Sequence, residues 1–424
     1  MPMRPYKCSR ENGVKEFEVT EMNRRVFFST GVLGTIAMGA GSLGKGAETS
    51  DNMSSSGPNI LNFHPAMKYR PMGNTGLLVS EISLGGLVMT ESVHRYAIEH
   101  GVNLVHVAWD YLGGQAIRAL GAGLRSLRDR VYIALKDDYP GIDEALKVLN
   151  TDHVDFLMFN RHWPFSAGDA KIAETFEKLK NQGKVRFAGL TTHGMVKETT
   201  AAGIRTGFYN VVMPVLNQPN LEAMDEELRL ARQRGVGVMA MKTMKGLKGL
   251  DSETAYLKKM LSNPAVTTVT KGIGSFDMFD AYLEALKEPL SSIEDRALYR
   301  YAQQNRSANC MMCDDCKQAC PLGVEVSTVL RCKDYYYEQM RDVQTALRTY
   351  RQIPLEKVGG EACRLCRKCE PACPNGIAIV ERLLAAREVF TRASSRLLVD
   401  PPNLSDPLTP APLPQGGEGG KCEE

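Results

Sequence analysis

Between Lys68 and Glu288 short apolar runs alternate with amphipathic stretches. The runs are EISLGG (81–86), LVHVAW (104–109), VYIALK (131–136), VDFLMFN (154–160), VRFAGLTT (185–192), NVVMPVLN (210–217), VGVMAMKT (236–243) and VTTVTKGI (266–273). Each is rich in β-branched or aromatic residues and apolar nearly throughout, as a strand buried on both faces must be. The stretches between them, such as AKIAETFEKLKNQG (170–183) and MDEELRLARQRG (224–235), are amphipathic, and several end in Gly, a helix stop. Eight strand–helix units are too many for most open sheets and predict an α/β fold of the (β/α)8 TIM-barrel type over residues 67–290. In that architecture chemistry sits at the C-terminal ends of the strands. Those ends carry Trp109 to Tyr111, Lys136, Asn160 to His162, Thr191 to His193, Asn217, Lys242, Thr243 and Lys271 to Ser275. A polar, somewhat basic site is expected there.

Beyond the barrel the pattern changes. CMMCDDCKQACP (310–321) and CRLCRKCEPACP (363–374) share one spacing, C-x2-C-x2-C-x3-C-P. This is the bacterial-ferredoxin pattern for a [4Fe–4S] cluster, in which the fourth cysteine of each run ligates the other cluster. The spacing therefore predicts Cys310, Cys313, Cys316 and Cys373 around one cluster, and Cys363, Cys366, Cys369 and Cys320 around a second. Zinc is the first rival, but zinc sites usually pair C-x2–4-C knuckles without a third cysteine three residues on. Disulfides are the second, and thiols in such tight triplets pair poorly. Between the runs Val329, Leu330, Tyr336, Met340, Val343, Leu347 and Tyr350 recur at helical spacing, and IAIVERLLAAREVF (377–390) reads as a closing amphipathic helix. Residues 291–392 are thus expected to form a small α-helical, ferredoxin-like dicluster domain, with Cys332 in its core rather than among the ligands.

Composition narrows the partners. A chain of 424 residues with 43% hydrophobic and 24% charged residues suits one large globular domain plus smaller pieces. The net charge of +3 includes no basic run that reads as a nucleic-acid surface. No apolar segment has the length of an integral membrane span. NRRVFFSTGVLGTIAMGAGSLGKGAETS (23–50) sets Arg24 and Arg25 before a Gly-rich apolar run and then small residues. This reads as a twin-arginine export signal over residues 1–50, followed by a linker over 51–66. Residues 393–424 are rich in Pro and Gly and read as a disordered tail. The twin-arginine route carries folded, cofactor-loaded proteins. Clusters would be assembled in the cytoplasm before export to the periplasm or cell envelope.

Several barrel stretches are familiar. MKYRPMGNTGLLVSEISLGG (67–86), GVNLVHVAWDYLGG (101–114), VYIALK (131–136), VDFLMFNRHWP (154–164), KVRFAGLTTHG (184–194) and GVGVMAMKTMKG (235–246) resemble, in order, segments of the aldo/keto reductases. The subfamily resembled most carries a C-terminal ferredoxin-like domain. The resemblance implies a catalytic Asp, Tyr, Lys and His. Tyrosine is the general acid that protonates a carbonyl, a lysine lowers its pKa, an aspartate holds the lysine, and a histidine orients the carbonyl. Tyr111 and Lys136 stand at their matching positions. His106 occupies the aspartate's place. The family histidine falls on Asn160, with His162 two residues on, where a register shift or bulge could bring it in. A protonated His106 would set a second positive charge beside Lys136.

NADP(H) is the nicotinamide that the resemblance implies, although no G-x-G-x-x-G follows a strand. Its candidate binding residues are Thr191 and Thr192, with Lys271, Gly272 and Ser275 of KGIGSF (271–276), where the last helix could seat a phosphate. The function expected is an iron–sulfur oxidoreductase. It would act on a small, carbonyl-type organic substrate and transfer electrons through two [4Fe–4S] clusters to a redox partner protein. The alternative is a non-catalytic electron-transfer or binding module with a degenerate barrel.

Overall fold

The computed structural model describes residues 59–399, apart from 87–89, 138–140, 219, 245–246, 248, 340–342 and 359–361. The export signal, the first part of the linker, Met340 and the end of the Pro/Gly-rich tail lie outside the described residues. Residues 59–66, expected to close the linker, are tied to the barrel instead. Asn62 Nδ2 donates to the carbonyls of Ile98 (2.6 Å) and Val102 (3.0 Å), and Asn103 Nδ2 donates to that of Leu61 (2.9 Å).

Among the described residues the first elements form a hairpin, β1 (Tyr69–Pro71) and β2 (Leu78–Ser80). Eight strand–helix units follow. They are β3 (Ile82–Gly85) with α1 (Glu91–Glu99), β4 (Leu104–Val107) with α2 (Gln115–Gly123), β5 (Tyr132–Lys136) with α3 (Ile142–Leu149), and β6 (Val154–Asn160) with α4 (Ala170–Asn181). Then come β7 (Val185–Thr192) with α5 (Val196–Thr206), β8 (Val211–Pro214) with α6 (Asp225–Arg234), β9 (Gly237–Ala240) with α7 (Leu250–Ser262), and β10 (Thr268–Lys271) with α8 (Phe276–Ala285). β3 to β10 pair in parallel, in order, and β10 closes on β3 as a barrel. The apolar runs form strands because both of their faces are buried: Ile82, Leu104, Ile133, Phe156, Val211 and Val238 are all fully enclosed.

Helix ends follow local chemistry. Asp169 caps α4 by accepting from the Lys171 amide, and Gly235 ends α6 in the left-handed region at φ 65°. Gly121 marks the closest approach of α2 to α3, since a Cβ there would stand 2.1 Å from the Val148 carbonyl oxygen.

The remainder is helical: α9 (Ser292–Asn305), α10 (Asp315–Gln318), α11 (Val326–Leu330), a π-helical segment over Arg331–Gln339, α12 (Val343–Arg351) and α13 (Ile379–Val399). A capping box between Ser291 and Glu294 starts α9, and Lys258 and Lys259 of α7 pair with Glu294 (2.7 Å) and Asp295 (2.8 Å). Val329, Leu330, Cys332, Leu347 and Phe390 are buried, and Phe390 stacks on Tyr350 at 4.2 Å. Val343, expected in that apolar set, is 39% exposed instead. It opens α12 just past the π-helical segment, whose wider turn breaks a strict 3.6-residue count.

This helical region covers the C-terminal ends of the barrel strands. Arg348 Nη2 reaches Asp110 Oδ2 at 2.7 Å, and Lys317 Nζ lies 3.6 Å from the Trp163 ring centroid. The Met195 amide donates to Asp314 Oδ2 at 3.2 Å.

Candidate active site at the barrel mouth

Three candidate residues meet at the ends of β4 and β5. His106 lies in β4, and Lys136 ends β5; they are 4% and 7% exposed. Tyr111 begins a turn in which Leu112, Gly113 and Gly114 are all left-handed, at φ 52°, 63° and 83°. A non-glycine residue there is unusual and marks a turn held by its surroundings. The turn sets the Tyr111 ring 6.1 Å from the His106 ring, and Lys136 Nζ 5.5 Å from the Tyr111 centroid. Burial and, second, the Lys136 charge push His106 down to about 3. His106 is therefore neutral near pH 7. The second positive charge that a protonated His106 would have supplied is absent.

β6 carries the rest. Its last residue, Asn160, donates its amide hydrogen bond to Asp137 Oδ1 at 2.8 Å, and its own Oδ1 is buried with no hydrogen-bond partner among the described residues. His162 follows after the strand has ended. Its Nδ1 accepts from the His193 amide at 3.2 Å, which fixes the neutral ring with its proton on Nε2. The His193 ring, which ranked only as a strand-end residue in the sequence, lies 5.7 Å from the His162 ring. Burial foremost, then the charges of Arg331, Lys136, Arg161 and Lys242, hold His162 at about 3. Burial, Lys242, Arg331 and Lys136 lower His193 as well. Lys242, held left-handed at φ 55° just after β9, lies 5.2 Å from the Tyr336 ring of the helical region. Lys242 and Arg331 had no site role in the sequence pattern, and the only signal for Lys242 was its place at a strand end.

Four of the nicotinamide candidates have side chains partnered within the protein. The Thr191 hydroxyl donates to the Met213 carbonyl (3.3 Å) and that of Thr192 to the Gly194 carbonyl (2.9 Å). The Ser275 hydroxyl caps α8 by accepting from the Met278 amide (3.2 Å). Lys271, beside Gly272, pairs with Glu253 at 3.3 Å. A carboxylate thus stands where a phosphate seat was expected.

Residues 89–298 match the model of the Aldo/keto reductase family. The barrel is of the aldo/keto reductase family. Methylglyoxal reductase YeaE of Escherichia coli strain K12 is 32% identical over 107 residues, 23% of this chain and 37% of its own. L-Galactose dehydrogenase of Arabidopsis thaliana is 31% identical over 155 residues, 30% of this chain and 48% of its own. The chain spans less than half the length of these two relatives. Among solved structures, the holo form of aldo-keto reductase AKR11C1 from Bacillus halodurans is 20% identical with a TM-score of 0.45, covering 55% of this chain and 96% of that one.

The helical region beyond the barrel holds two cysteine-lined hollows. Cys310, Cys313, Cys316 and Cys373 line one, walled by Val326, Leu330, Ile377 and Ile379. Cys320, Cys363, Cys366 and Cys369 line the other, beside Pro321, Leu322 and Leu383. Each run gives its fourth cysteine to the other's hollow. The two loops are conformational twins. Met312 and Asp314 are left-handed at φ 60° and 65°, as are Leu365 and Arg367 at 57° and 56°. The Met312 amide donates to Cys310 Sγ and the Leu365 amide to Cys363 Sγ, both at 3.4 Å. No disulfide joins the nine described cysteines. Among the described residues no three His, Cys, Asp or Glu side chains converge as they would on one metal ion. Burial, foremost, pushes the Cys313 thiol up to about 12 and Cys369 to about 11. A bound cation would be needed to hold them as thiolates.

Proposed function

We propose that the protein is an iron–sulfur oxidoreductase acting on a small carbonyl-type organic substrate at the barrel mouth. What carries the reading is the meeting of Tyr111 and Lys136 at the mouth of an aldo/keto reductase barrel, under a helical region with two four-cysteine hollows. Tyr111 is the proton donor to the substrate oxygen, and Lys136 favours its phenolate. Neutral His162, with its Nε2 proton, and Asn160 are the hydrogen-bonding groups that orient that oxygen. His106 stands where the family aspartate would and leaves the Lys136 charge undiminished.

Cys310, Cys313, Cys316 and Cys373 would hold one [4Fe–4S] cluster, and Cys363, Cys366, Cys369 and Cys320 the other. When bound, such clusters supply one-electron redox chemistry. The Met312 and Leu365 amides, donating to Sγ, would tune it, since hydrogen bonds to sulfur set cluster potential. A redox partner protein follows from two one-electron centres. Aldo/keto reductases commonly use NADP(H), and the barrel of this protein would take it through β9 and β10 loops whose Lys271 is shared with Glu253. The Arg24–Arg25 segment would direct export of the folded, loaded protein.

Anaerobic purification with iron and sulfide analysis, then titration with NADPH and with dithionite, tests the reading. About eight irons per chain are expected from two clusters, with turnover of carbonyl compounds that Tyr111→Phe abolishes. Zinc in place of iron, or turnover indifferent to Tyr111→Phe, refutes it. The alternative, an electron-transfer or binding module with a degenerate barrel, is favoured by the Lys271–Glu253 pair and predicts irons that dithionite reduces and NADPH does not.

A further inference from the structure

Arg331 is a charge without an obvious counterpart. It begins the π-helical segment of the helical region, is 8% exposed, and its Nε has no hydrogen-bond partner among the described residues. Arginine keeps its charge inside proteins, and a buried charge is costly unless an anion compensates it. The side-chain charges that bear most on His162 and His193 are Arg331, Lys136, Lys242 and Arg161, all positive. Three described carboxylates at that end of the barrel have partners of their own. Asp137 pairs with Arg161 at 2.8 Å and Asp110 with Arg348 at 2.7 Å. Asp314 accepts from the Met195 amide and the Ser327 hydroxyl. At the same end of the barrel the side-chain oxygen of Asn160, both polar atoms of Asn217 and the Thr243 hydroxyl are buried and have no hydrogen-bond partner among the described residues. Native structures satisfy such groups through protein, ordered water or a bound molecule.

We propose that the barrel mouth takes an organic substrate bearing a carboxylate, and that Arg331, supplied by the helical region, anchors it and sets this specificity. The proposal rests on the barrel mouth being the active site. Arg331 opens the segment whose Tyr336 ring lies 5.2 Å from Lys242 Nζ, and its charge bears on His162 and His193, the side on which the substrate oxygen is oriented. The candidate nucleotide-phosphate seat, Lys271 to Ser275, follows β10 and holds a carboxylate of its own. A planar guanidinium matches a carboxylate with two parallel hydrogen bonds. The barrel alone then lacks part of its substrate site, and the helical region completes it.

The test is calorimetric titration of the full-length, cluster-loaded protein with oxalate, and with oxamide as its neutral counterpart. Inorganic phosphate and NADPH serve as further titrants. Oxalate is expected to bind at least tenfold more tightly than oxamide. Arg331→Ala should lose at least tenfold in oxalate affinity, and Arg331→Lys should keep part of it, with iron content and circular dichroism unchanged. Equal binding of oxalate and oxamide to the unaltered protein overturns the proposal without recourse to any variant. So does oxalate binding that ignores Arg331→Ala, or a loss confined to phosphate or NADPH, which would make Arg331 a cofactor contact. Binding is read without turnover. Arg331-dependent oxalate binding in a protein that reduces no carbonyl compound would keep the anion site and remove the oxidoreductase reading. Turnover of carboxylate-bearing carbonyl compounds that ignores Arg331→Ala would do the reverse.

Discussion

Replacing Lys136 by methionine keeps the length and apolar stem of the side chain and removes its charge. Lys136 Nζ lies 5.5 Å from the Tyr111 ring centroid. With that distance as the charge separation and an effective dielectric constant of about 20, a phenolate at Tyr111 gains about 3 kcal/mol from the ammonium. At 1.36 kcal/mol per pH unit, Lys136→Met should move the Tyr111 titration upward by about two pH units. Ultraviolet difference titration of tyrosinate reads this directly, with Tyr111→Phe as the subtraction that assigns the signal. It needs no substrate, so it tests the electrostatic pairing apart from catalysis. A Tyr111 titration that stays within about half a unit in Lys136→Met would refute the reasoning, because it would mean that solvent or other groups screen the pair. A downward movement would refute it equally.

Other outcomes follow from the same geometry. Cys373→Ser should expose Cys310, Cys313 and Cys316 to alkylation in the loaded protein and spare Cys363, Cys366 and Cys369, since Cys373 lines the first hollow; peptide mapping showing the opposite set labelled would reject the crossed grouping. Phe390→Ala should cost about 3–5 kcal/mol of stability of the helical region, because Phe390 is 1% exposed and stacked on Tyr350; chemical denaturation measures it, and a loss below about 1 kcal/mol contradicts the packing. Glu294 is held down to about 2, first by Lys258 and then by the Ser291 amide. A carboxylate whose folded pKa is depressed stabilises above its unfolded pKa and loses that contribution as pH falls through the folded value. Glu294→Gln should therefore weaken the protein by about 1 kcal/mol at pH 7, with the difference from the unaltered protein vanishing as pH falls from about 4.5 toward 2. A difference that persists at the acid end would show that the charge is not the cause.

Local pattern determined much of this protein. All eight barrel strands lie within the apolar runs, because a strand covered by helices on one side and barrel interior on the other must be apolar on both faces. Tyr111, Lys136 and Asn160 were visible because (β/α)8 barrels place chemistry at strand ends, and strand ends can be counted. The cysteine spacing carried the two hollows and their crossed fourth members. Tertiary structure decided what depends on who is near whom through space. Arg331, far along the chain, comes to share an environment with His162 and His193 only because the helical region docks on the barrel. His106 is neutral through burial and the neighbouring ammonium, and a residue letter carries neither. Lys271 read as a candidate for a nicotinamide phosphate, yet Glu253 of α7 pairs with it. Periodicity reports which face of an element is apolar. It does not report which distant side chain will lie across from that face, and in a buried, low-dielectric site that neighbour sets the charge.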